Sequence, residues 1–233
     1  MEHKNINIVV AGDVLGCDAE SAEDINDSLD SLLYAQLMAD AKANKFEAPA
    51  SWFPAYRNEL LALKWSGTVN SRQAFEPGKG TTITLMELIE ENLLNQLSAE
   101  QGDEVRAMLD RVFTLPETDA ASMLLNEHAF RRAAKAKGKS TIALQVSVVE
   151  KSTRLSSLFV TFTTTRVIDS NPLHQAFPAS SIVGEVEARF FQRNWNRTGY
   201  QSKRAAVQRY LEGKRDEKIL PVIDEEPSGE ADC

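Results

Sequence analysis

The first half of the chain is patterned for helices and the second half for strands. Leu29, Leu32, Leu33, Gln36, Leu37 and Asp40 mark successive turns, most of the apolar ones in one stripe. This spacing predicts an amphipathic helix starting near Leu29, with Asp27 or Ser28 as its cap and the preceding "AESAEDINDS" as an acidic loop. A second helix is expected from Ser51 as cap, with Pro54 in the first turn, where a missing N–H does no harm. Trp52, Tyr56, Leu60 and Leu63 then step at helical spacing. The stretch "SGTVNSRQAFEPGKGTT" reads as a turn-rich connection. Beyond it, Leu85, Met86, Leu88, Ile89, Leu93, Leu94 and Leu97 cover more than one stripe, which predicts a central helix buried on two sides. Ser98, with Gln101 three residues on, can form the capping box of a further helix that Pro116 closes. The last of this series is expected over "ETDAASMLLNEHAFRRAAKAKGK", with Arg131, Arg132, Lys135 and Lys137 near its C-terminus and Gly138 as its stop.

From Ser140 the period becomes two. Ile142, Leu144, Val146 and Val148 share one face, and Leu158, Val160 and Phe162 alternate with Phe159, Thr161 and Thr163. Ile182, Val186, Ala188 and Phe190 continue the pattern, so three strands are expected, the first two joined by the short turn "EKSTR". The opening "INIVV" reads as a strand of the same sheet. "SKRAAVQRYLEGK" is a final helix ending at Gly213, "KILPVI" a short apolar segment, and residues 224–233 an acidic, disordered tail. Because helices precede strands in blocks, the expected fold is α+β. It comprises an antiparallel sheet of three to four strands, covered on one face by the helical N-terminal two-thirds. One domain is expected over residues 1–223, with a helical region over about 22–137, a sheet region over about 140–192 and a last helix over about 202–213.

Composition narrows the functional classes. The chain has 233 residues, 42% of them hydrophobic and 26% charged, and so can bury a substantial core without metals or disulfides. Its two cysteines, Cys17 and Cys233, lie at opposite ends, which argues against a disulfide framework. "MEHKNINIVV" lacks the marks of a secretory signal, and no apolar run approaches a spanning helix. Cytoplasmic synthesis is expected, with release by a signal-independent route left open. A net charge of −8 argues against nucleic acid as a partner. The charge is unevenly spread. Residues 1–50 hold ten acidic and three basic side chains, whereas residues 185–220 hold five acidic and nine basic. These segments could meet within the fold, meet between subunits, or stay apart as solvated surfaces.

Few residues suggest chemistry. "VVAGDVLG" has the outline of a strand-and-turn phosphate loop, but no Lys-Ser or Lys-Thr follows and an acidic loop stands where phosphate would sit. An esterase turn would need Ser where Val14 stands. The simpler reading is a strand end with Gly12 in a tight turn. Cys17 could be a nucleophile or a small buried residue; His3, His128 and His174 are scattered and none is tied to it. Neither a zinc spacing nor a cofactor motif is present, and Glu87, Glu90 and Glu91 suit a solvated helix face better than a di-metal site. Trp52, Phe53, Tyr56 and Trp65 suit a hydrophobic seam between helices better than a ligand pocket. The most suggestive stretch is "ARFFQRNWNRTGYQSKR". Here Arg189, Phe191, Arg193, Trp195, Arg197 and Tyr200 are candidates for contact with anionic lipid headgroups or a protein partner, beside the simpler reading of a strand end merging into a capped helix. The strand pair over 140–168 has the length and alternation of tilted membrane strands, which a half-buried soluble sheet shares.

The segment "LLYAQLMADAKANKF…SWFPAYRNELLALKW" resembles a pattern in bacterial toxin-like or virulence-associated proteins of the Evf type. The resemblance rests on Leu33, Gln36, Leu37, Lys42, Trp52, Tyr56, Leu60 and Trp65, together with the order of helices, alternating sheet and last helix. It implies a non-enzymatic, virulence-associated role. It would also imply a lipidated cysteine in a hydrophobic cavity, and no cysteine stands in the corresponding late region. The expected function is therefore binding to membrane lipid or to further copies of the chain. The alternatives are an assembly subunit of a larger complex and a small enzyme using the loop 12–17.

Overall fold

A computed structural model describes residues 6–18, 21–133, 138–151 and 153–222; the tail 224–233, Cys233 and His3 lie outside the described residues. Strands β1 (Ile6–Val10) and β2 (Asp13–Cys17) are followed by helices α1 (Ala22–Asp40) and α2 (Pro49–Ala62), then strands β3 (Trp65–Phe75) and β4 (Thr82–Ile83). Helices α3 (Leu85–Asn92), α4 (Ala99–Thr114) and α5 (Ala120–Ala129) come next, leading into β5 (Phe130–Arg131). The long strands β6 (Ser140–Glu150), β7 (Arg154–Thr164) and β9 (Ile182–Trp195) follow, with the short β8 (Phe177–Pro178) before the last of them. Helices α6 (Arg197–Leu211) and α7 (Arg215–Lys218) and strand β10 (Ile219–Pro221) close the described chain.

The class is α+β, but the sheet is larger than expected and mixed. Among the described residues its order is β10-β1-β2-β6-β7-β9-β3, with β5 beside the start of β6. β2 runs parallel to β6, and the other pairs of this sheet are antiparallel. The opening run contributes two strands because it reverses at Ala11-Gly12. Ala11 takes a positive φ of 50°, and a Cβ on Gly12 would stand 2.3 Å from Lys45 Nζ and 2.6 Å from the His128 carbonyl oxygen. The turn therefore needs a residue with no side chain at position 12. The expected connection after Trp65 is in fact the edge strand β3. Ser66, Gly67 and Val69 to Gln73 are exposed, so no apolar alternation marks it.

Both faces of the sheet are covered, which corrects the one-sided layout. One face carries Leu144, Leu158, Val160 and Phe190 against Leu88, Ile89, Leu109 and Leu125 of α3, α4 and α5. The other carries Leu15, Leu155, Phe159 and Phe191 against Leu32, Trp52, Tyr56 and Tyr200 of α1, α2 and α6. Alternate residues of β7 face opposite sides, so Leu158 and Phe159 each meet a helical layer.

Several helix boundaries also move. α1 starts at Ala22, capped by Ser21, whose side chain accepts a hydrogen bond from the Asp24 N–H. Glu23 and Asp24 lie in its first turn, where negative charge suits the helix dipole, so the acidic stretch is helix and not loop. α2 starts at Pro49 and contains Pro54. α3 is buried on one side of the sheet and stops at Asn92, and Leu94–Gln96 form a separate 3-10 turn. α5 ends at Ala129, so Arg131 lies on a strand, and residues 134–137 lie outside the described ones. The capping box of Ser98 and Gln101 is present as expected.

The acidic front and the basic back meet inside this fold. Arg204 bonds Glu23 and Asp27, Arg215 reaches Asp30 at 2.6 Å, and Arg197 reaches Asp24 at 3.0 Å. These pairs join α6 and α7 to α1. Asp27 and Asp30 are both buried, and burial lifts their carboxyls above the ordinary carboxylate range against the pull of the arginines.

Candidate functional site

The six residues of the arginine-and-aromatic stretch divide into three groups. Phe191, Trp195 and Tyr200 belong to the core beneath α1, α2 and α6. Trp195 stacks on its cross-strand neighbour Trp65 with ring centres 5.0 Å apart, and its Nε1 donates to the Leu63 carbonyl at 3.2 Å. Phe191 meets Phe53 edge-on at 5.7 Å. The described surface therefore lacks the aromatic side chains that the sequence pattern set beside the arginines. Arg197 is engaged by Asp24 and by the Lys151 carbonyl at 2.9 Å.

Arg189 and Arg193 form the third group, and a residue from a different element joins them. They stand two residues to either side of Phe191 on β9 and so share its face toward α2, where Arg57 lies one turn beyond Phe53. The Arg57 and Arg189 guanidinium carbons stand 5.8 and 5.2 Å from the Phe53 ring centre, and that of Arg193 stands 5.5 Å from Phe191. Arg72, on the edge strand opposite Arg189, makes a fourth member. Glu187 serves two of the four, and the charge of Glu185 also acts on Arg72. Glu187 Oε2 lies 2.8 Å from Arg189, and Oε1 also accepts from Arg72 Nε. Burial works against the Glu187 charge, but these hydrogen bonds overcome it and hold the carboxyl below its usual range. Arg57 was not singled out from the sequence. It is the one basic residue of α2, two positions before Glu59, and only the packing of α2 on the sheet brings it to β9.

The opening motif has a different fate. Asp13 is wholly buried at the centre of a polar network inside the sheet layer. Its Oδ2 accepts from Gln145 Nε2 at 3.0 Å and from Ser147 Oγ at 2.7 Å, while Gln145 also donates to Tyr56 Oη at 2.9 Å. Ser157 Oγ lies 2.8 Å from Ser147 Oγ and, with the one Ser147 proton given to Asp13, can act as donor in that pair. Burial pushes the Asp13 carboxyl up to about 8, against the hydrogen bond from Ser147, the Lys45 charge and the hydrogen bond from Gln145. Lys45 is buried too, and burial pulls it down to about 8 against the attraction of Asp40 and Asp13. Ser147, Ser157 and Gln145 of the strand pair 140–164 thus point into this network and not outward.

Cys17 is a buried free thiol that burial, and then Asp18, push up to about 12. Its thiol stays protonated at neutral pH, which is the opposite of an activated nucleophile. Gly16, Cys17 and Asp18 border an open groove shared with Glu104, Arg111 and Lys151. Glu87 caps α3 through Thr84, and Glu90 pairs with Arg106 at 3.2 Å. His128 Nε2 lies 3.2 Å from Lys218 Nζ, and His174 faces Asp110 on the surface. Among the described residues no three such side chains gather as a metal set, and no helix is long and apolar enough to cross a membrane. Trp52, Phe53, Tyr56 and Trp65 form a seam as expected, but chiefly against the sheet, through Phe159 and Phe191.

No family model and no curated protein matches this chain. Three solved structures are similar to it. A delta-endotoxin aligns over 84% of this chain and 85% of its own, with 13% identity and a TM-score of 0.45. The activated Cyt2Ba monomer of Bacillus thuringiensis subsp. israelensis aligns over 83% and 99%, with 11% identity and a TM-score of 0.44. The Evf virulence factor aligns over 96% of this chain and 87% of its own, with 12% identity and a TM-score of 0.36. By their descriptions these three are an endotoxin, an activated Cyt2Ba monomer and a virulence factor.

Proposed function

We propose that the protein acts without catalysis, by binding the surface of a membrane, in a toxin-like or virulence-associated role. The observation that supports this reading is the gathering of Arg57, Arg72, Arg189 and Arg193, of which only Arg72 and Arg189 are paired with Glu187, on a chain whose net charge is −8. Anionic headgroups attract such a patch by about 1 kcal/mol per basic residue near the surface. Within the six-residue stretch, Arg189 and Arg193 are the members that serve this contact, while Phe191, Trp195 and Tyr200 hold the core behind them. Co-sedimentation with vesicles rich in phosphatidylglycerol tests the proposal. Binding at low salt that weakens as the ionic strength rises is expected. The absence of both co-sedimentation and dye leakage would refute it.

A second reading, self-association, has its own support in β3. This strand pairs with β9 on one side only and ends the sheet, and seven of its residues have exposed side chains or backbone. An exposed edge offers unpaired backbone donors and acceptors to a second copy of the chain. Sedimentation velocity that shows only the 25.9 kDa monomer at every salt concentration would remove this reading.

A further inference from the structure

Three guanidinium groups crowd the end of the sheet next to β3, and their charges are poorly answered. The Nε atoms of Arg57, Arg189 and Arg193 are all buried and have no hydrogen-bond partner. Among the described residues neither Arg57 nor Arg193 makes a salt bridge, and the carboxylate of Glu187 is divided between Arg189 and Arg72. Arg193 is 6% exposed, so its charge has also lost most of its water. Burial lowers the proton affinity of Arg57 and Arg193; Arg189 lowers that of Arg57 further, and Arg57 that of Arg193.

Stacking on Phe53 and Phe191 accounts for only part of this arrangement. A cation over a ring uses the face of the guanidinium, and at exposed sites this is worth about 0.5–1 kcal/mol. The ring contacts leave the Nε–H donors of all three without a hydrogen-bond partner. They remain available for an oxygen-rich anion, which a guanidinium fork grips with paired hydrogen bonds. The backbone makes room for the fork. Gly67 lies directly opposite Arg193 on β3 and is itself exposed, and Arg193 Nη1 occupies the place a side chain would take, 1.5 Å from where a Cβ would stand. The guanidinium is thereby laid across bare strand at the boundary with solvent.

We infer that Arg57, Arg189 and Arg193 form an oxyanion site that takes a phosphate group between α2 and the β3–β9 edge. The inference deepens the membrane reading, because a phospholipid headgroup is one source of that chemistry. It is separable from it, because free phosphate is the other source.

The test uses the full chain and inorganic phosphate, titrated at constant ionic strength with chloride as the balancing anion. Calorimetric titration is expected to show saturable binding, accompanied by a rise in melting temperature. Arg57→Gln and Arg193→Gln should each weaken binding by about tenfold or more, since each removes charge-assisted hydrogen bonds. Without phosphate both variants should melt no lower than the parent, because each removes a poorly paired buried charge. Gly67→Ala keeps every charge and displaces only the Arg193 fork, so it should weaken phosphate binding as well. Arg209→Gln, on the exposed last turn of α6, should leave binding unchanged. Wild-type protein that shows no saturable binding overturns the site, and so does an equal loss in Arg209→Gln. Vesicles of phosphatidylglycerol then identify the source. Vesicle binding that free phosphate displaces supports the headgroup. Phosphate binding without vesicle binding supports the site with the free ion as its ligand, and overturns the membrane reading alone.

Discussion

Replacing Asp13 by Asn should flatten the pH dependence of stability over the range in which this carboxyl resists ionisation. In the fold Asp13 accepts two hydrogen bonds through Oδ2, and Oδ1 has no partner. The structure thus suits a neutral acid, with Oδ1 carrying the proton, and an Asn amide nitrogen can take the same place. Burial raises the carboxyl from its ordinary 3.8 to about 8. Below about pH 4 both folded and unfolded chains hold this proton, so it has no effect on stability. As the pH rises toward 8 the unfolded chain releases the proton and the folded chain keeps it, so folding loses up to about 1.4 kcal/mol per pH unit. Above about pH 8 both forms are ionised and the loss levels off, at a total on the order of 5 kcal/mol. Asn has no proton to lose and so lacks this term. Urea unfolding of both proteins at half-unit steps from pH 5 to 8 measures the effect as the difference between two curves, which removes the contribution of every group that does not sense the Asp13 charge. Asp13→Asn should gain steadily on the parent as the pH rises. Two parallel profiles would show that the carboxyl is ionised in the fold throughout, and the argument from its burial would be wrong.

Lys45 supplies the opposite limb. Its folded form loses its proton near pH 8 and the unfolded form near 10.5, so wild-type stability should recover between these values, and Lys45→Met should show no such recovery in an unfolding series extended to pH 10.5. Arg204→Ala leaves Asp27, 2% exposed, without its arginine, and should cost about 1–3 kcal/mol by urea midpoint. Adding Asp27→Asn should restore much of that loss, and a single variant as stable as the parent would contradict it. In a Cys233→Ser background, Cys17 should react with a thiol reagent at pH 8 only as fast as the protein unfolds; rapid labelling under native conditions would show an accessible thiolate.

Much of the secondary structure could be read from the chain because its signals are local. The capping box at Ser98 needs only residues 98 and 101, and the alternation over 140–164 needs only neighbours along one strand. Three features could not be read in this way. β3 lies at an edge with solvent on most of its side chains, so Ser66, Asn70 and Gln73 carry no record of the strand they form. The covering of both sheet faces depends on how α2 and α4 fold back, and Leu158 and Phe159 are apolar whichever face each serves. Arg57 joins the arginine cluster only through the register of α2 over β9, a relation that has no spacing in sequence. The charge asymmetry was visible, but which acid meets which arginine depended on α6 crossing α1. In the arginine-and-aromatic stretch, Arg189, Phe191, Arg193 and Trp195 share one face of β9, where the rings pack into the core beneath α2, while the turn into α6 sends Arg197 to Asp24.

The strand order has a consequence for how the chain is made. β3 has β9 as its neighbour, and the Trp195 side chain bonds a carbonyl 132 positions earlier, at Leu63. β2, likewise, has β6 as its inner neighbour. Contacts of such long sequence separation place the protein among slow folders, because large loops must close before the pairing gains anything. A ribosome adds about 5–20 residues per second, so β3 and the apolar face of α2 wait on the order of ten seconds before β9 has emerged. Through that interval Trp52, Phe53 and Trp65 lack their partners on the sheet. A nascent chain halted before Ile182 should therefore be bound by a holdase chaperone, and one that extends through Val222 should be released.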